Sequence, residues 1–260
     1  MPDVDESEQS LLEIAREAAR AAADELRPRF GHRVADVRSK SSPTDLVSEA
    51  DVAAEQAIRE VLARRRPQDA ILGEEGGETG DGDLRWVVDP LDGTINFLFG
   101  IPVYAVSVAC EDASGALAGI VLDPSRDECF AATRSGEATL NGSVIEGSTR
   151  SELATSLVAT GFGYDASVRS RQAAIVAQVL PRVRDIRRAG AAAIDLCWCA
   201  CGRLDAYYER GVKPWDVAAG GLIAARSGLA VRELPANQDG EAIVVAPPAV
   251  IDELVGLVSG

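Results

Sequence analysis

The run Trp86-Val87-Val88-Asp89-Pro90-Leu91-Asp92-Gly93-Thr94 sets the strongest constraint on how this 260-residue chain folds. A stretch of buried-strand type ends in two carboxylates three residues apart, with a Pro-Leu pair between them. Like charges on so tight a turn repel one another. A strand end tolerates them best when a divalent cation holds both, and oxygen donors suit Mg²⁺. Gly93 lets the backbone approach a ligand, and the free N–H groups of the turn or helix opening at Thr94 form a ready anion site. A solvated Asp-Gly turn is the plain alternative. The acidic reading gains weight because Glu74-Glu75 ends the preceding apolar run in the same way. If both strands end at one edge, those carboxylates can share a metal with Asp89. Asp216, which begins a helix of small apolar residues, is a third candidate, with an N-cap role as its alternative.

The rest of the composition narrows the classes. Lys+Arg number 26 against 41 Asp+Glu, a formal charge of −15, which disfavours a general binder of nucleic acid or of anionic membrane. Hydrophobic residues make up 47%, too many for a disordered chain, and the length suits one compact fold or two closely packed lobes. No stretch reaches the roughly 18 apolar residues of a membrane span. The single histidine, His32, leaves no room for a His-based zinc site or a Ser-His-Asp triad unless that residue serves. Only Lys40 and Lys213 are lysines. The five cysteines are odd in number, and in a helix Cys197 and Cys201 share a face while Cys199 points elsewhere. They read as buried thiols in a reducing compartment, so the chain is expected to be cytoplasmic.

Along the chain, Leu11, Ala15, Ala18, Ala22 and Leu26 make the stripe of an amphipathic helix stopped near Pro28. A second helix is expected from about Ser48 to Arg66, then strands at 69–73 and 85–89 around a Gly-rich acidic loop that is expected to move. A three-strand antiparallel meander follows within 103–133. The second half alternates strand with helix: strands at 156–160, 185–190, 205–209, 229–233 and 242–246, and helices at 171–183, 191–206, 215–227 and 250–258. Helices flanking a mixed sheet in each half predict a layered α/β or α+β sandwich.

The segments Gly73-Glu74-Glu75, Asp89-Pro90-Leu91-Asp92-Gly93-Thr94-Ile95-Asn96-Phe97 and Pro214-Trp215-Asp216-Val217-Ala218-Ala219-Gly220 resemble the signatures of the inositol monophosphatase family of Mg²⁺-dependent, lithium-sensitive phosphatases. The likeness extends to Lys40–Asp51 and to Arg187–Glu209. It implies a five-layered αβαβα sandwich of the sugar-phosphatase type, usually a homodimer. An N-terminal lobe, 1–145, would carry most metal ligands, and a C-terminal lobe, 146–260, would supply Asp216 and substrate contacts. The resemblance also implies that Glu74, Asp89 and the Leu91 carbonyl hold one Mg²⁺ while Asp89, Asp92 and Asp216 hold a second. A third, looser ion lies near Glu74. By the same match Thr94 orients the attacking water, Asp51 pairs with Thr94, and no covalent phosphoenzyme is needed. Lys40 falls on a basic position of the family. For Asp51 the alternative is an ordinary acid in the first turns of a helix.

On the substrate side, Glu209 matches the family acid that bonds sugar or inositol hydroxyls. Gly190, Ala191 and Ala192 match a ligand-facing segment in which Ala191 replaces the usual Ser or Thr, so one hydroxyl donor is missing. Gly93 and Thr94 are expected at the phosphate. Arg187 and Arg188 would meet a second anionic group or form a solvated basic pair. Gly161, Gly163 and Ala166 form a loose dinucleotide fingerprint with Asp185 downstream. Without a first-strand βαβ context, the loop reads instead as a substrate-pocket loop containing Tyr164. The expected function is Mg²⁺-dependent hydrolysis of a small polyol phosphate, inositol 1-phosphate first. Fructose 1,6-bisphosphate, histidinol phosphate and 3′-phosphoadenosine nucleotides are alternative substrates, and a regulatory protein that kept the fold and binds a partner is the alternative of another class.

Overall fold

The computed structural model describes residues 4–31, 38–39 and 46–259, with side chains from 8 to 31 and from 48 to 259. His32 and Lys40 lie outside the described residues. The chain opens with α1 (Val4–Leu26), whose expected stripe is buried throughout. A short ladder, β1 (Arg38–Ser39) with β2 (Leu46–Val47), precedes α2 (Glu49–Arg65). Ser48 caps α2, accepting from Ala50 N at 3.2 Å, and Asp51 reaches back to Ser48 N at 2.8 Å, a capping box that fixes where the helix starts.

Eight strands form the first sheet: β3 (Ala70–Gly73), β4 (Gly77–Thr79), β5 (Arg85–Asp92), β6 (Ala105–Asp112), β7 (Gly115–Asp123), β8 (Glu128–Thr133), β9 (Thr139–Leu140) and β10 (Ser143–Val144). The one-turn helix α3 (Thr94–Leu98) lies between β5 and β6. The spatial order is β10-β9-β8-β7-β6-β5-β3-β4, in which only β3 and β5 pair in parallel. The expected meander is present as β6-β7-β8. The loop after Glu75 is not all loop, because Gly77–Thr79 pairs with β3 as an exposed edge strand.

The second half runs β11 (Leu157–Thr160), α4 (Ala166–Val179), β12 (Asp185–Arg187), α5 (Ala192–Ala200), β13 (Ala206–Arg210), α6 (Pro214–Arg226), β14 (Ala230–Asn237), β15 (Gly240–Ala246) and α7 (Ile251–Val258). Its sheet has the order β12-β11-β13-β15-β14, parallel on the β12 side and antiparallel on the β14 side. Several boundaries differ from the sequence expectation; β5 runs on to Asp92, β12 stops at Arg187 and α4 ends at Val179. Helix α4 starts five residues earlier because Asp165 accepts from Ser167 N and Val168 N as its N-cap. Helix α5 stops at Ala200 because the chain turns at Gly202, with φ +74°. Strand β14 runs on past Glu233 through Pro235, which an edge strand tolerates.

Helices α1 and α2 cover the outer face of the first sheet, α5 and α6 fill the space between the sheets, and α4 and α7 cover the outer face of the second. The result is the five-layered αβαβα sandwich, an α+β fold. Being between two sheets, α5 buries both faces: Cys197 packs toward the first sheet and Cys199 toward the second, all five cysteines being free.

Candidate active site

Parallel pairing of β3 with β5 sets Gly73 beside Val88, so Glu74 and Asp89 leave the sheet at the same edge. On the other side of β5 the register with β6 slips between Asp89 and Asp92. That irregularity bends the strand end, and Asp89 Oδ1 accepts from Leu91 N at 3.0 Å within the bend. Gly93 follows at φ +89°, where a Cβ would stand 2.9 Å from Val103 O, so the turn has both a conformational and a steric need for glycine.

Thr94 then opens α3, which Phe97, packed edge-on against Tyr104 and beside Phe30, anchors to the outer layer. The Thr94 hydroxyl lies 2.9 Å from Asp51 Oδ1 and 3.0 Å from Leu91 O. Asp51 makes two contacts: one oxygen caps α2 and the other faces Thr94. The expected anion site at the start of α3 is a single short turn. The longer helix whose N-terminus reaches these acids is α5, where Ala192 N and Ala193 N donate to Asp92 at 3.2 and 2.7 Å. Ala191, which has no side-chain hydroxyl, is the N-cap position, and Asp92 supplies the missing acceptor from the other sheet. Asp216 is not the N-cap of α6 but its third residue, accepting from Lys213 N at 2.6 Å.

A cavity of about 430 Å³ brings together Glu74, Asp89, Leu91, Asp92, Gly93, Thr94 and Asp216 with Gly190, Ala191, Ala192, Glu209 and Tyr164. Asp51 stands behind its wall, joined to it through Thr94. Tyr164 is 45% exposed at the rim. The loop 161–165 lines the cleft, and Gly161 is there for contact with Glu209, whose carboxylate leaves no room for a Cβ. The basic pair divides: Arg187 is exposed and bonded to Asp185, whereas Arg188 lines the cleft with its guanidinium 5.9 Å from the Phe162 ring centroid.

The electrostatics are those of crowded acids. Burial, then the charges of Glu74, Asp92 and Asp216, holds Asp89 well above the usual carboxylate range. Burial pushes Asp92 up to about 7 against the pull of the Ala192 and Ala193 N–H groups. Asp216 is also raised well above its ordinary value, by burial and by its acidic neighbours, although Lys213 N opposes the shift. Among the described residues no three acidic, His or Cys side chains already converge as a metal cluster. The donor set nevertheless fits a hard cation: carboxylate and carbonyl oxygens line one cleft, and the crowding is relieved when positive charge enters.

Several residues escaped the sequence reading. Glu55, 3% exposed, accepts from Glu75 N at 2.7 Å and Gly76 N at 2.8 Å and so holds the turn that carries Glu74. Arg59 bonds Glu55 at 2.7 Å and Gly77 O at 2.8 Å, closing the brace. Tyr207 donates to Glu209 at 2.7 Å, and Asn96 Nδ2 ties Val103 O to Ala189 O. Asp195 lies buried in α5, raised well above the usual range by burial and by the Glu209 and Asp92 charges. An acid inside an apolar helical stripe was the available signal for both Glu55 and Asp195. Replacing Glu55 with Ala strands two backbone donors, so urea unfolding is expected to show a loss of roughly 1–3 kcal/mol. A change below about 0.5 kcal/mol would mean that the β3–β4 pairing alone holds the turn.

Comparison with known proteins points to one family. Residues 7–252 match the model of the inositol monophosphatase family. The inositol-1-monophosphatase SuhB of Mycobacterium tuberculosis is 45% identical over 231 residues, spanning 84% of this chain and 80% of that protein. The Nus factor SuhB of Pasteurella multocida is 36% identical over 251 residues, 94% of each. The crystal structure of the extragenic suppressor protein suhB from Bartonella henselae superposes with a TM-score of 0.88 at 34% identity, covering 96% of this chain and 99% of that one. Fold, acidic cleft and relatives together define a phosphoric monoester hydrolase. The chain belongs to the inositol monophosphatase family, whose members are generally metal-dependent.

Proposed function

We propose that the protein hydrolyses a small polyol phosphate, inositol 1-phosphate first, with two or three Mg²⁺ ions held by Glu74, Asp89, Leu91 O, Asp92 and Asp216. The observation that carries this reading is the all-oxygen acidic corner sharing one cavity with Glu209 and the α5 N-terminus. About 430 Å³ falls within the range of small-ligand sites. When bound, the cations would neutralise phosphoryl charge, make a water nucleophilic near neutral pH and steady the leaving oxygen.

The chain's own residues do the positioning. Thr94 faces two acceptors, Asp51 and Leu91 O, which fix its hydroxyl so that an oxygen lone pair can hold the attacking water. Tyr207 holds Glu209 for substrate hydroxyls. Gly93, Thr94, Gly190, Ala191 and Ala192 border the phosphate, and Tyr164 the outer part of the substrate. The lobes 1–145 and 146–260 meet at this cleft, a division supported by the first sheet ending at Val144 and the second beginning at Leu157.

A phosphate-release panel of inositol 1-phosphate, fructose 1,6-bisphosphate, histidinol phosphate, 3′-phosphoadenosine 5′-phosphate and an aryl phosphate, with and without Mg²⁺ and lithium, tests the reading. Lithium is expected to inhibit most at low Mg²⁺. Glu209→Gln keeps the shape and removes the charge, so kcat/KM for the polyol ester is expected to fall about tenfold or more, roughly 1.4 kcal/mol. The aryl ester should be spared; equal loss on both would make Glu209 a prop of the metal corner.

The relatives named Nus factor support a second reading, a regulatory protein that retains the fold and binds a partner. No hydrolysis of any ester in the panel would favour it. A homodimer also belongs to the proposal, supported by Phe99 and Ile101, which are 74% and 46% exposed beside α3; a monomeric mass by light scattering would refute it. Five free cysteines support a cytoplasmic location, to be checked by cell fractionation, and no helix among the described residues is long and apolar enough to cross a membrane.

A further inference from the structure

The segment that leads into α5 at the cleft, Ala189-Gly190-Ala191-Ala192, has no polar side chain with which to hold itself. Ties reach it from the first lobe. At one end Ala192 N and Ala193 N donate to Asp92, and at the other the Ala189 carbonyl accepts from Asn96 Nδ2 at 2.9 Å. Asp92 and Asn96 stand four residues apart in sequence, with Gly93 and Thr94 between them. One short stretch of the first lobe therefore grips both ends of the ligand-facing stretch of the second.

Asn96 is the third residue of α3 and 5% exposed, and its amide nitrogen serves two acceptors: Nδ2 donates to Val103 O at 2.8 Å as well as to Ala189 O. Two carbonyls can be met at once by an NH₂ group with its two hydrogens, which neither a hydroxyl nor a carboxylate offers. The Asn96 carbonyl in turn accepts from Ile101 N at 2.8 Å, closing the turn back toward Val103. The three segments joined in this way lie in close contact. A Cβ on Gly93 would stand 2.9 Å from Val103 O and 3.2 Å from the Ala191 Cβ. Gly190, at φ +90°, bends the chain beside the amide, where a Cβ would lie 3.2 Å from Asn96 Nδ2.

The two grips are not equivalent. Asp92 is among the carboxylates assigned to cations, so its oxygens face two demands, whereas Asn96 donates to backbone carbonyls alone. Across the gap that Asn96 spans, Gly93 and Thr94 line the cleft on one side and Gly190, Ala191 and Ala192 on the other. These are the groups that border the phosphate. A shift of one wall by about an ångström is enough to misalign a reacting group and cost about 10²-fold in rate.

We propose that Asn96 is a positioning residue for phosphoryl transfer: by tying Ala189 to Val103 it sets the width of the phosphate site between the two lobes. The proposal rests on the phosphatase reading above and holds whichever ester is hydrolysed. It is tested in the full chain with Asn96→Leu, of similar volume without the amide, and with Asn96→Asp, which keeps the outline but turns an acceptor toward the two carbonyls. At saturating Mg²⁺ and well below the unfolding temperature, kcat on the ester that the parent hydrolyses fastest is expected to fall about 30-fold or more in both variants, with KM changed less than about threefold.

Amide hydrogen exchange of the cation-free protein supplies a readout that a general loss of stability would not give. Without the Asn96 amide, Ala192 N–H and Ala193 N–H should exchange about tenfold faster or more, while the amides of β6 and β7 keep their protection. A kcat equal to that of the parent, a loss confined to KM, an Asn96→Asp protein that behaves as the parent, unchanged exchange at Ala192 and Ala193, or faster exchange spread evenly through β6 and β7 would each overturn the proposal. If the parent itself releases phosphate from no ester, the hydrolytic reading fails, and exchange at Ala192 and Ala193 alone decides whether Asn96 holds the site.

Discussion

Asp89→Asn is expected to remove phosphatase activity by about 10³-fold or more while raising the stability of the cation-free protein. The two effects have opposite signs for one reason. Asp89 is 2% exposed and crowded by Glu74, Asp92 and Asp216, so its charge is unfavourable until a cation arrives. Asparagine keeps the acceptor for Leu91 N and discards the repulsion. Asp92 sets the direction of the pH dependence. Its folded pKa of about 7 lies above the unfolded value near 4, so the native state holds the proton more tightly. Cation-free stability is therefore fully favoured at low pH and declines as pH rises from about 4 to about 7. Divalent cation should reverse the decline, and its affinity should rise over the same window as protons are displaced. Thermal unfolding with EDTA and with Mg²⁺, across that pH range, measures all of this. An Asp89→Asn protein that still gained stability from Mg²⁺ and still released phosphate would remove Asp89 from the centre of the site.

Thr94→Val should cost about 10²-fold in kcat with little change in KM. Valine fills the same volume but withdraws the hydroxyl from Asp51 and Leu91 O, so a water there loses its fixed partner while the phosphate still binds. Steady-state kinetics at saturating Mg²⁺ separate the two parameters. A rise in KM with kcat intact would place Thr94 in substrate binding alone. Asp51→Asn makes the comparison internal: an effect on kcat as large as that of Thr94→Val is expected if the two act as one unit, since coupled residues are not additive.

The core strands were legible because β5, β6 and β7 are apolar runs bounded by charges and turns, and α1 because its alanines repeat at helical spacing. Strand β4 was not, since Gly77-Glu78-Thr79 is polar, exposed and held only by its neighbour. The start of α4 has a local sign, an aspartate two residues ahead of a serine from whose N–H it accepts. At the site, the acids at strand ends announced themselves because carboxylates after a buried strand are expensive without a partner. What stayed hidden depends on distant segments meeting. Glu55 acts on a turn 20 residues away, and Asp92 caps a helix 100 residues on. No window along the chain contains both members of either pair.

Helix α5 takes its N-terminal acceptor from the opposite sheet and hides both flanks between the two. It follows that the chain resists being dissected. A fragment ending near residue 145 would expose the apolar inner face of β6–β8, and the remainder would present an uncapped helix with one bare side. The corner where Asp92 meets Ala193 thus works as a proof of assembly: Asp92 reaches the Ala192 and Ala193 N–H groups, and Asp216 comes alongside Glu74 and Asp92, only once the layers have closed.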